Sequence, residues 1–157
     1  YVLLSREYIY AETNGGTWSN FGGGQSKGES FTSTAIREGW EESDGILGSK
    51  QKIKQMVKQD TLKILSVPGY KSFLVKVNYD PMLPKKFRKK FLYAKRKNPK
   101  IINKNGMKEK DMLKWVETSK LKKFRKHIRP RFLKLYDMLI RFFSFQDQQT
   151  FKLTKAL

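Results

Sequence analysis

The stretch from Gly22 to Gly45 reads GGGQSKGESFTSTAIREGWEESDG and holds the most informative arrangement of charges in the chain. It opens with three consecutive glycines and closes with a group of carboxylates around one arginine. Ser30 is a favourable N-cap, and Ser43-Asp44-Gly45 is a typical helix stop. We therefore predict one helix from Ser30 to about Ser43, entered through a glycine-rich loop.

Three glutamates share one face of this predicted helix. Glu38, Glu41 and Glu42 stand at positions i, i+3 and i+4, which places their carboxylates close together. Like charges at this spacing destabilise an isolated helix by roughly a few tenths of a kcal/mol per pair. Arg37 can neutralise Glu41 but leaves the other two unmatched. A hard divalent cation bound through oxygen, Mg²⁺ or Mn²⁺, is the expected partner.

The spacing of these charges resembles the Nudix box, G-x5-E-x7-R-E-U-x-E-E-x-G-U, in which U is a bulky aliphatic residue. At about 6% usage per residue type, six fixed positions agree by chance on the order of 10⁻⁷ times per register. Gly39 replaces an aliphatic position, and Asp44 stands where the pattern has glycine, so we expect the helix exit to shift by one residue to Gly45. The six matching positions are Gly23, Glu29, Arg37, Glu38, Glu41 and Glu42.

The resemblance implies an Mg²⁺- or Mn²⁺-dependent pyrophosphohydrolase that cleaves a diphosphate bond in a nucleoside diphosphate linked to another moiety. In this interpretation Glu38, Glu41 and Glu42 hold the metal. Arg37 orients the carboxylates through its ion pair with Glu41, and Glu29 braces the loop against the helix through a salt bridge. The cation neutralises phosphate charge and lowers the pKa of the attacking water.

The loop before the helix is the expected phosphate site. Consecutive glycines allow a sharp turn in which backbone N–H groups approach an oxyanion. A glycine-rich loop alone is weak evidence, because a flexible linker has the same composition. The glycines of this loop are Gly22, Gly23 and Gly24.

One acidic residue far along the chain is a further site candidate. Residues 107–116, MKEKDMLKWV, resemble the late Nudix strand, which an acidic residue precedes. Glu109 is the candidate for an additional metal ligand or base, and Asp111 is its rival. Either Glu42 or Glu109 would take the proton from the attacking water.

The remaining pattern predicts an α/β (α+β) chain. The resemblance implies a Nudix-type α/β/α sandwich with a mixed sheet and a long C-terminal helix. Since the family fold has a strand before VLLSRE, we expect the first strand to be missing. Ala11 to Gly16 and Pro68-Gly69 are predicted hairpin turns, and Ser49 to Gln59 is a predicted amphipathic helix. The predicted strands, with the later hairpin extending the sheet, are Tyr1–Tyr10, Thr17–Phe21, Asp60–Val67 and Tyr70–Tyr79.

The C-terminal part carries a long apolar stripe. We predict a basic amphipathic helix over Thr118–Phe143, with a possible break at Pro130, whose stripe packs against the sheet. His127 is interpreted as a capping or surface residue. These elements suggest one domain, 1–143, with a basic insertion at about 80–106 and a C-terminal tail, 144–157. The stripe consists of Leu121, Phe124, Ile128, Phe132, Leu135, Leu139 and Phe142.

The composition limits the kinds of molecule that we expect this chain to bind. The 157 residues include 34 Lys and Arg against 14 Asp and Glu, a net charge of +20. Such a surface attracts polyanions such as nucleic acid, nucleotide phosphates or an anionic membrane face. The absence of cysteine excludes a disulfide framework, a thiolate zinc site and a cysteine nucleophile. With no long apolar run and no signal-peptide pattern, we expect a soluble intracellular protein, in the cytoplasm.

The basic insertion has two interpretations. It could contact RNA or polyphosphate, with aromatic side chains stacking on bases. It could equally be a solvated loop that packs Phe87, Phe91 and Leu92 back onto the domain.

The charge favours an RNA 5′ end as substrate, and hence mRNA decapping or pyrophosphate removal, while free nucleotides and dinucleoside polyphosphates stay open. The alternative function is a catalytically inactive Nudix-fold module that binds RNA or serves as a scaffold. A structural basic protein of the ribosomal kind has no use for three clustered glutamates.

Overall fold

The computed structural model describes the backbone of residues 1–102 and 108–155 and the side chains up to residue 146. Over these residues the chain is mixed α/β, with five α-helices and two small antiparallel sheets. The strands are β1 Val2–Glu7, β2 Trp18–Ser19, β3 Thr61–Val67, β4 Tyr70–Val75 and β5 Lys110–Val116. The helices are α1 Phe31–Glu42, α2 Lys50–Gln59, α3 Leu83–Lys97, α4 Leu121–Phe124 and α5 Leu133–Lys155.

The first sheet has the order β2-β1-β5 and places the VLLSRE strand at its centre. Ser5 lies opposite Ser19 on one side and Leu113 on the other. Val2 and Leu4 point into the main core, as the alternation of a half-buried strand requires. The predicted β1 and β2 strands are confirmed, with shorter bounds.

The hairpin of β3 and β4 is confirmed, but the prediction that it extends the sheet is wrong. It forms a separate two-stranded sheet, while β1 is paired with β2 and β5. Leu65 of β3 joins the main core with the C-terminal helices. Phe73 of β4 packs instead against a second cluster built on α1 and α2. The hairpin therefore connects the two helical groups through side chains.

Helix α1 has the predicted bounds, with Ser30 and Ser43 as its caps, but its exit differs from the one expected. Ser30 caps it by accepting a hydrogen bond from the backbone N–H three residues on, at 3.1 Å. At the other end the N–H of Asp44 bonds to the carbonyl of Glu41, at 3.0 Å, and that of Gly45 to Trp40, at 3.1 Å. Asp44 itself takes the left-handed position, with φ of 53°. The expected one-residue shift of the exit is therefore wrong.

Helix α2 follows its prediction closely. Ser49 caps it, and its apolar stripe is buried against α1. The stripe consists of Ile53, Met56 and Val57.

The basic insertion contains helix α3, so the interpretation of it as a solvated loop is wrong. Pro84 lies in the first turn of α3, where proline is compatible with helix geometry. Phe87 and Phe91 are each only 2% exposed, so neither can stack on a base. Leu92, which we expected to pack inward, is exposed. Residues 103–107, at the end of the predicted insertion and the start of the predicted late strand, lie outside the described residues.

The C-terminal segment is helical, and the break that the sequence allowed near Pro130 is present. Two 3₁₀ turns, Arg125–His127 and Pro130–Phe132, separate α4 from α5. The break occurs because Ile128 is extended and the N–H of Arg129 bonds to the carbonyl of Trp18, at 2.9 Å. His127 is exposed, as expected.

The predicted apolar stripe nevertheless supplies much of the main core. Leu121, Leu135 and Tyr136 are almost fully buried there. Helix α5 continues past residue 143 to Lys155, and residues 156–157 lie outside the described part of the chain. In the described ranges no helix is both long and apolar enough to cross a membrane.

Replacing Phe87 with Ala should lower the free energy of unfolding by about 3 to 5 kcal/mol, because it leaves a cavity between α3 and β5. Urea unfolding followed by circular dichroism measures the change. Leu92→Ala, on the exposed face of the same helix, is the control and should cost less than about 1 kcal/mol. Equal effects of the two substitutions would contradict the packing of α3.

Candidate active site

The guanidinium of Arg37 joins the charged residues of the box. Its Nε and Nη2 donate to the two carboxylate oxygens of Glu29, at 3.1 and 3.0 Å. Its Nη1 lies 2.6 Å from Glu38 Oε1 and 3.1 Å from Glu41 Oε2. Nη2 also donates to the carbonyl of Gly24, at 2.9 Å. One side chain therefore ties the glycine loop and the carboxylates to the same face of α1.

The salt bridge predicted for Glu29 is present. Hydrogen bonds from Arg37 and from the backbone N–H of Ser26 hold the pKa of Glu29 down, at about 2. The hydroxyl of Thr34 donates to the same carboxylate, at 2.9 Å. Glu29 thus stays charged at neutral pH, and its contacts link the loop to the first turns of α1.

Gly23 packs directly on the carboxylate of Glu38. A Cβ at position 23 would lie 2.4 Å from Glu38 Oε1, so only glycine fits without displacing that carboxylate. Burial raises the pKa of Glu38, and the charges of Glu41 and Glu109 add to the rise, while Arg37 opposes it. Glu38 is therefore held among carboxylates that Arg37 compensates only in part.

These carboxylates line an open cleft of about 1120 Å³ that reaches between the two sheets. Glu38, Glu41 and Glu109 line it together with all three glycines of the loop. Five basic side chains line the same cleft: Arg37, Lys71, Lys76, Arg129 and Arg131. The cleft thus exposes acidic and basic groups to one bound molecule.

Glu42 lies behind the cleft and does not line it. Its side chain is buried, and its Oε2 accepts a hydrogen bond from the N–H of Gly22, at 2.6 Å. Its Oε1 lies 3.1 Å from Nζ of Lys110, which also pairs with Glu7. Arg129 donates to the same Glu7, at 2.9 Å. Of the three predicted metal ligands, the structure therefore brings Glu38 and Glu41 to the cleft and places Glu42 in a buried ion-pair cluster.

Burial sets the protonation of this cluster. It raises the pKa of Glu42 to about 8, because the loss of solvation outweighs the charge of Lys110 and the N–H of Gly22. Burial also opposes the charge on Lys110, but Glu42 and Glu7 outweigh it and raise the pKa of that lysine. Glu42 is therefore a carboxyl that takes a proton near neutral pH.

The structure separates the two acidic residues near β5. Asp111 is fully buried and forms a bidentate ion pair with Arg6, at 2.8 and 2.9 Å. Arg88 reaches the same carboxylate at 3.4 Å. Glu109 precedes the strand, where its carbonyl accepts a hydrogen bond from Tyr8, and it lines the cleft. Between these rivals, Glu109 is the one that a bound substrate can reach.

The acidic side chains of the cleft offer the type of ligand atom that a hard cation prefers. All three acidic side chains of the cleft offer oxygen, and Nη1 of Arg37 already holds a positive charge between Glu38 and Glu41. In their present rotamers, no three acidic or histidine side chains of the described ranges are grouped closely enough to hold an ion. Binding of a cation by these carboxylates therefore requires a change of side-chain rotamer.

Comparison of the chain with protein-family models, with curated proteins and with solved structures finds no match. Assignment of a function therefore depends on the residues and contacts of this cleft.

Glu42→Gln should flatten the dependence of stability on pH. The folded state keeps a proton on Glu42 up to about pH 8, whereas the unfolded chain releases it near 4.5. Because the folded state binds more protons in that window, the contribution of Glu42 to stability falls as pH rises from about 5 to 8. Urea unfolding of the parent and the variant across this range measures the difference.

Glu12→Gln, at an exposed loop position, is the matched control and should keep the slope of the parent. Parallel pH profiles for the parent and Glu42→Gln would show that burial does not set the protonation of Glu42.

Proposed function

We propose that this chain is an Mg²⁺- or Mn²⁺-dependent pyrophosphohydrolase of the Nudix type, acting on a nucleoside diphosphate linked to another moiety. The observation that carries the proposal is the contact of one guanidinium with Glu29, Glu38 and Glu41 beside the glycine loop. We further propose that the mixed α/β arrangement is a variant of the Nudix sandwich. The residues that contact Arg37 extend from Gly24 to Glu41, 17 positions apart in the sequence. A solvated Glu-rich helix would not require these contacts.

In this proposal Glu38, Glu41 and Glu109 hold the cation, since these three carboxylates line the cleft. When bound, the cation neutralises phosphate charge and makes water a better nucleophile at neutral pH. Arg37 positions Glu38 and Glu41. Glu42 keeps the loop in place through the N–H of Gly22.

Glu109 is also the candidate general base of this proposal, because a base must touch the attacking water and Glu42 has no surface in the cleft. The diphosphate would lie on the exposed glycines Gly23 and Gly24. Arg129 and Arg131 can neutralise phosphate oxygens from another side of the cleft. Nη1 of Arg129 also donates to Glu7, at 2.9 Å, which fixes the guanidinium at the edge of the cleft.

The charge and the cleft favour an RNA 5′ end as the substrate, which makes the proposed reaction mRNA decapping or removal of pyrophosphate. A surface of net charge +20 gains affinity for a polyanion by releasing counterions. The cleft, at about 1120 Å³, is as large as the biggest common ligand pockets, which are about 1,000 Å³. Both features suit a substrate that is larger than one mononucleotide.

The test is a phosphate-release assay with Mg²⁺ on capped RNA, dinucleoside polyphosphates and nucleoside triphosphates. Glu109→Gln removes the proposed base and should lower kcat by about 10²- to 10⁴-fold on the preferred substrate. Glu41→Gln should lower activity at limiting Mg²⁺ because it removes a cation ligand.

Glu117→Gln, an exposed substitution of the same type, should retain the activity of the parent. Turnover that is unchanged in both Glu109→Gln and Glu41→Gln would exclude this site.

One observation favours the second candidate, a catalytically inactive module of the same fold that binds RNA. Glu42 pairs with Lys110 inside the protein, and the described carboxylates are not grouped as a metal centre in these rotamers. RNA binding by the parent without turnover of any of the three substrate classes would favour this module over the enzyme.

A further inference from the structure

The outward face of α3 carries a line of basic and aromatic side chains. Lys85, Lys89, Tyr93 and Arg96 stand at positions i, i+4, i+8 and i+11, so they project from one side of the helix. All four are exposed, and Tyr93 is 57% exposed. We call these four residues the α3 stripe. Opposite them, Leu83, Phe87 and Phe91 are buried.

The three cations of the stripe have no partner in the described part of the chain, while four of the other five cations of α3 are engaged. Lys86 pairs with Asp80 at 2.8 Å, Arg88 with Asp111 at 3.4 Å and Lys90 with Asp44 at 3.5 Å. Lys95 lies over the rings of Tyr8 and Tyr10. The helix sequence, LPKKFRKKFLYAKRK, contains no acidic residue. The stripe is therefore an uncompensated line of positive charge.

The helix itself gains little from these cations. Cations stabilise the C-terminal turn of a helix through its dipole, which accounts for Lys95, Arg96 and Lys97. Lys85 and Lys89 lie in the N-terminal half, where the same dipole disfavours positive charge. Like charges four residues apart also repel each other. An anionic ligand removes both costs.

The geometry of the stripe suits a single strand of nucleic acid. Lys85 and Lys89 are separated by about 6 Å along the helix axis, and Lys85 and Arg96 by about 16 Å. The shorter separation is close to that of successive phosphates in an extended strand. Tyr93 lies among these cations, and Tyr10, 76% exposed, lies beside Lys95. Exposed tyrosine rings beside phosphate-binding cations form the usual stacking surface for unpaired bases.

A membrane surface fits this face less well. Interfacial helices insert an apolar face into lipid, whereas Leu83, Phe87 and Phe91 of α3 are buried in the protein and only Leu92 is left as an exposed aliphatic side chain of the helix. The α3 stripe is an exposed polar surface with one aromatic ring. This composition is typical of a surface that contacts single-stranded nucleic acid.

We propose that the α3 stripe binds single-stranded nucleic acid, with phosphates on Lys85, Lys89 and Arg96 and a base on Tyr93. Lys90 holds α3 against Asp44, two residues after the end of α1, so the bound strand lies on the element next to the cleft. This binding does not depend on hydrolysis. If the proposed hydrolase activity is correct, the strand is the RNA chain that follows the 5′ end.

The test measures binding of a fluorescein-labelled oligouridine by fluorescence anisotropy, without divalent cation, from about 50 to 500 mM salt. Neutralising three phosphate contacts with Lys85→Gln, Lys89→Gln and Arg96→Gln together should reduce the slope of log K against log salt by about 2, since each contact contributes about 0.7. The affinity at low salt should fall by at least about tenfold.

The matched control is Lys50→Gln, Lys54→Gln and Lys58→Gln together, on the exposed face of α2. This variant has the same net charge and a similar spacing, and it should bind within about twofold of the parent. Equal losses in the two triple variants would show that net charge alone drives binding and would overturn the proposal. Equal competition by double-stranded RNA would also overturn it, because the stripe would then not select a single strand.

Separate variants test the proposed stacking of a base on Tyr93. Tyr93→Ala should weaken binding by about 5- to 100-fold without changing the salt slope, whereas Tyr93→Phe should keep the affinity. Unchanged binding by Tyr93→Ala would remove the base contact from the proposal. Glu41→Gln should bind like the parent, so that loss of activity and loss of strand binding are measured separately.

Discussion

The ion pairs of Arg37 are the interaction on which the candidate site depends. A bidentate contact with Glu29 is charge-assisted and directional, so it fixes the loop before α1 as well as the helix itself. The remaining nitrogen then sets the positions of Glu38 and Glu41. Without this cation, the carboxylates of Glu29, Glu38 and Glu41 would repel one another. The same constraint explains the glycine at position 23, because a side chain there would displace the carboxylate of Glu38.

A second, buried layer of charge supports this surface from behind. Lys110 of β5 lies between Glu7 of β1 and Glu42 of α1, so one ammonium group connects the first sheet with the helix. Since Glu42 also accepts the N–H of Gly22, the position of the glycine loop is tied to the sheet. Buried ion pairs of this kind contribute little net stability, but removing one partner leaves an uncompensated charge. Their contribution here is to hold one arrangement of loop, helix and strand.

Local features of the sequence predicted much of the fold and part of the site. The caps of α1 and α2, the Pro68-Gly69 hairpin and the salt bridge of Glu29 all depend on residues close in the chain. The buried contacts of Lys110 could not be found in this way, because 103 positions separate it from Glu7. The only signal of these buried contacts in the sequence was a lysine at the start of an apolar strand. In α3, the proline in the first turn, Pro84, concealed a helix.

The central claim is that the carboxylates of the cleft hold a divalent cation, and Mn²⁺ titration followed by electron paramagnetic resonance tests it most directly. We predict saturable uptake of Mn²⁺ by the parent, strong weakening by Glu38→Gln, and displacement of the bound Mn²⁺ by excess Mg²⁺. Titration curves of the parent that match those of buffer alone, with no bound Mn²⁺ at any concentration, would contradict the account.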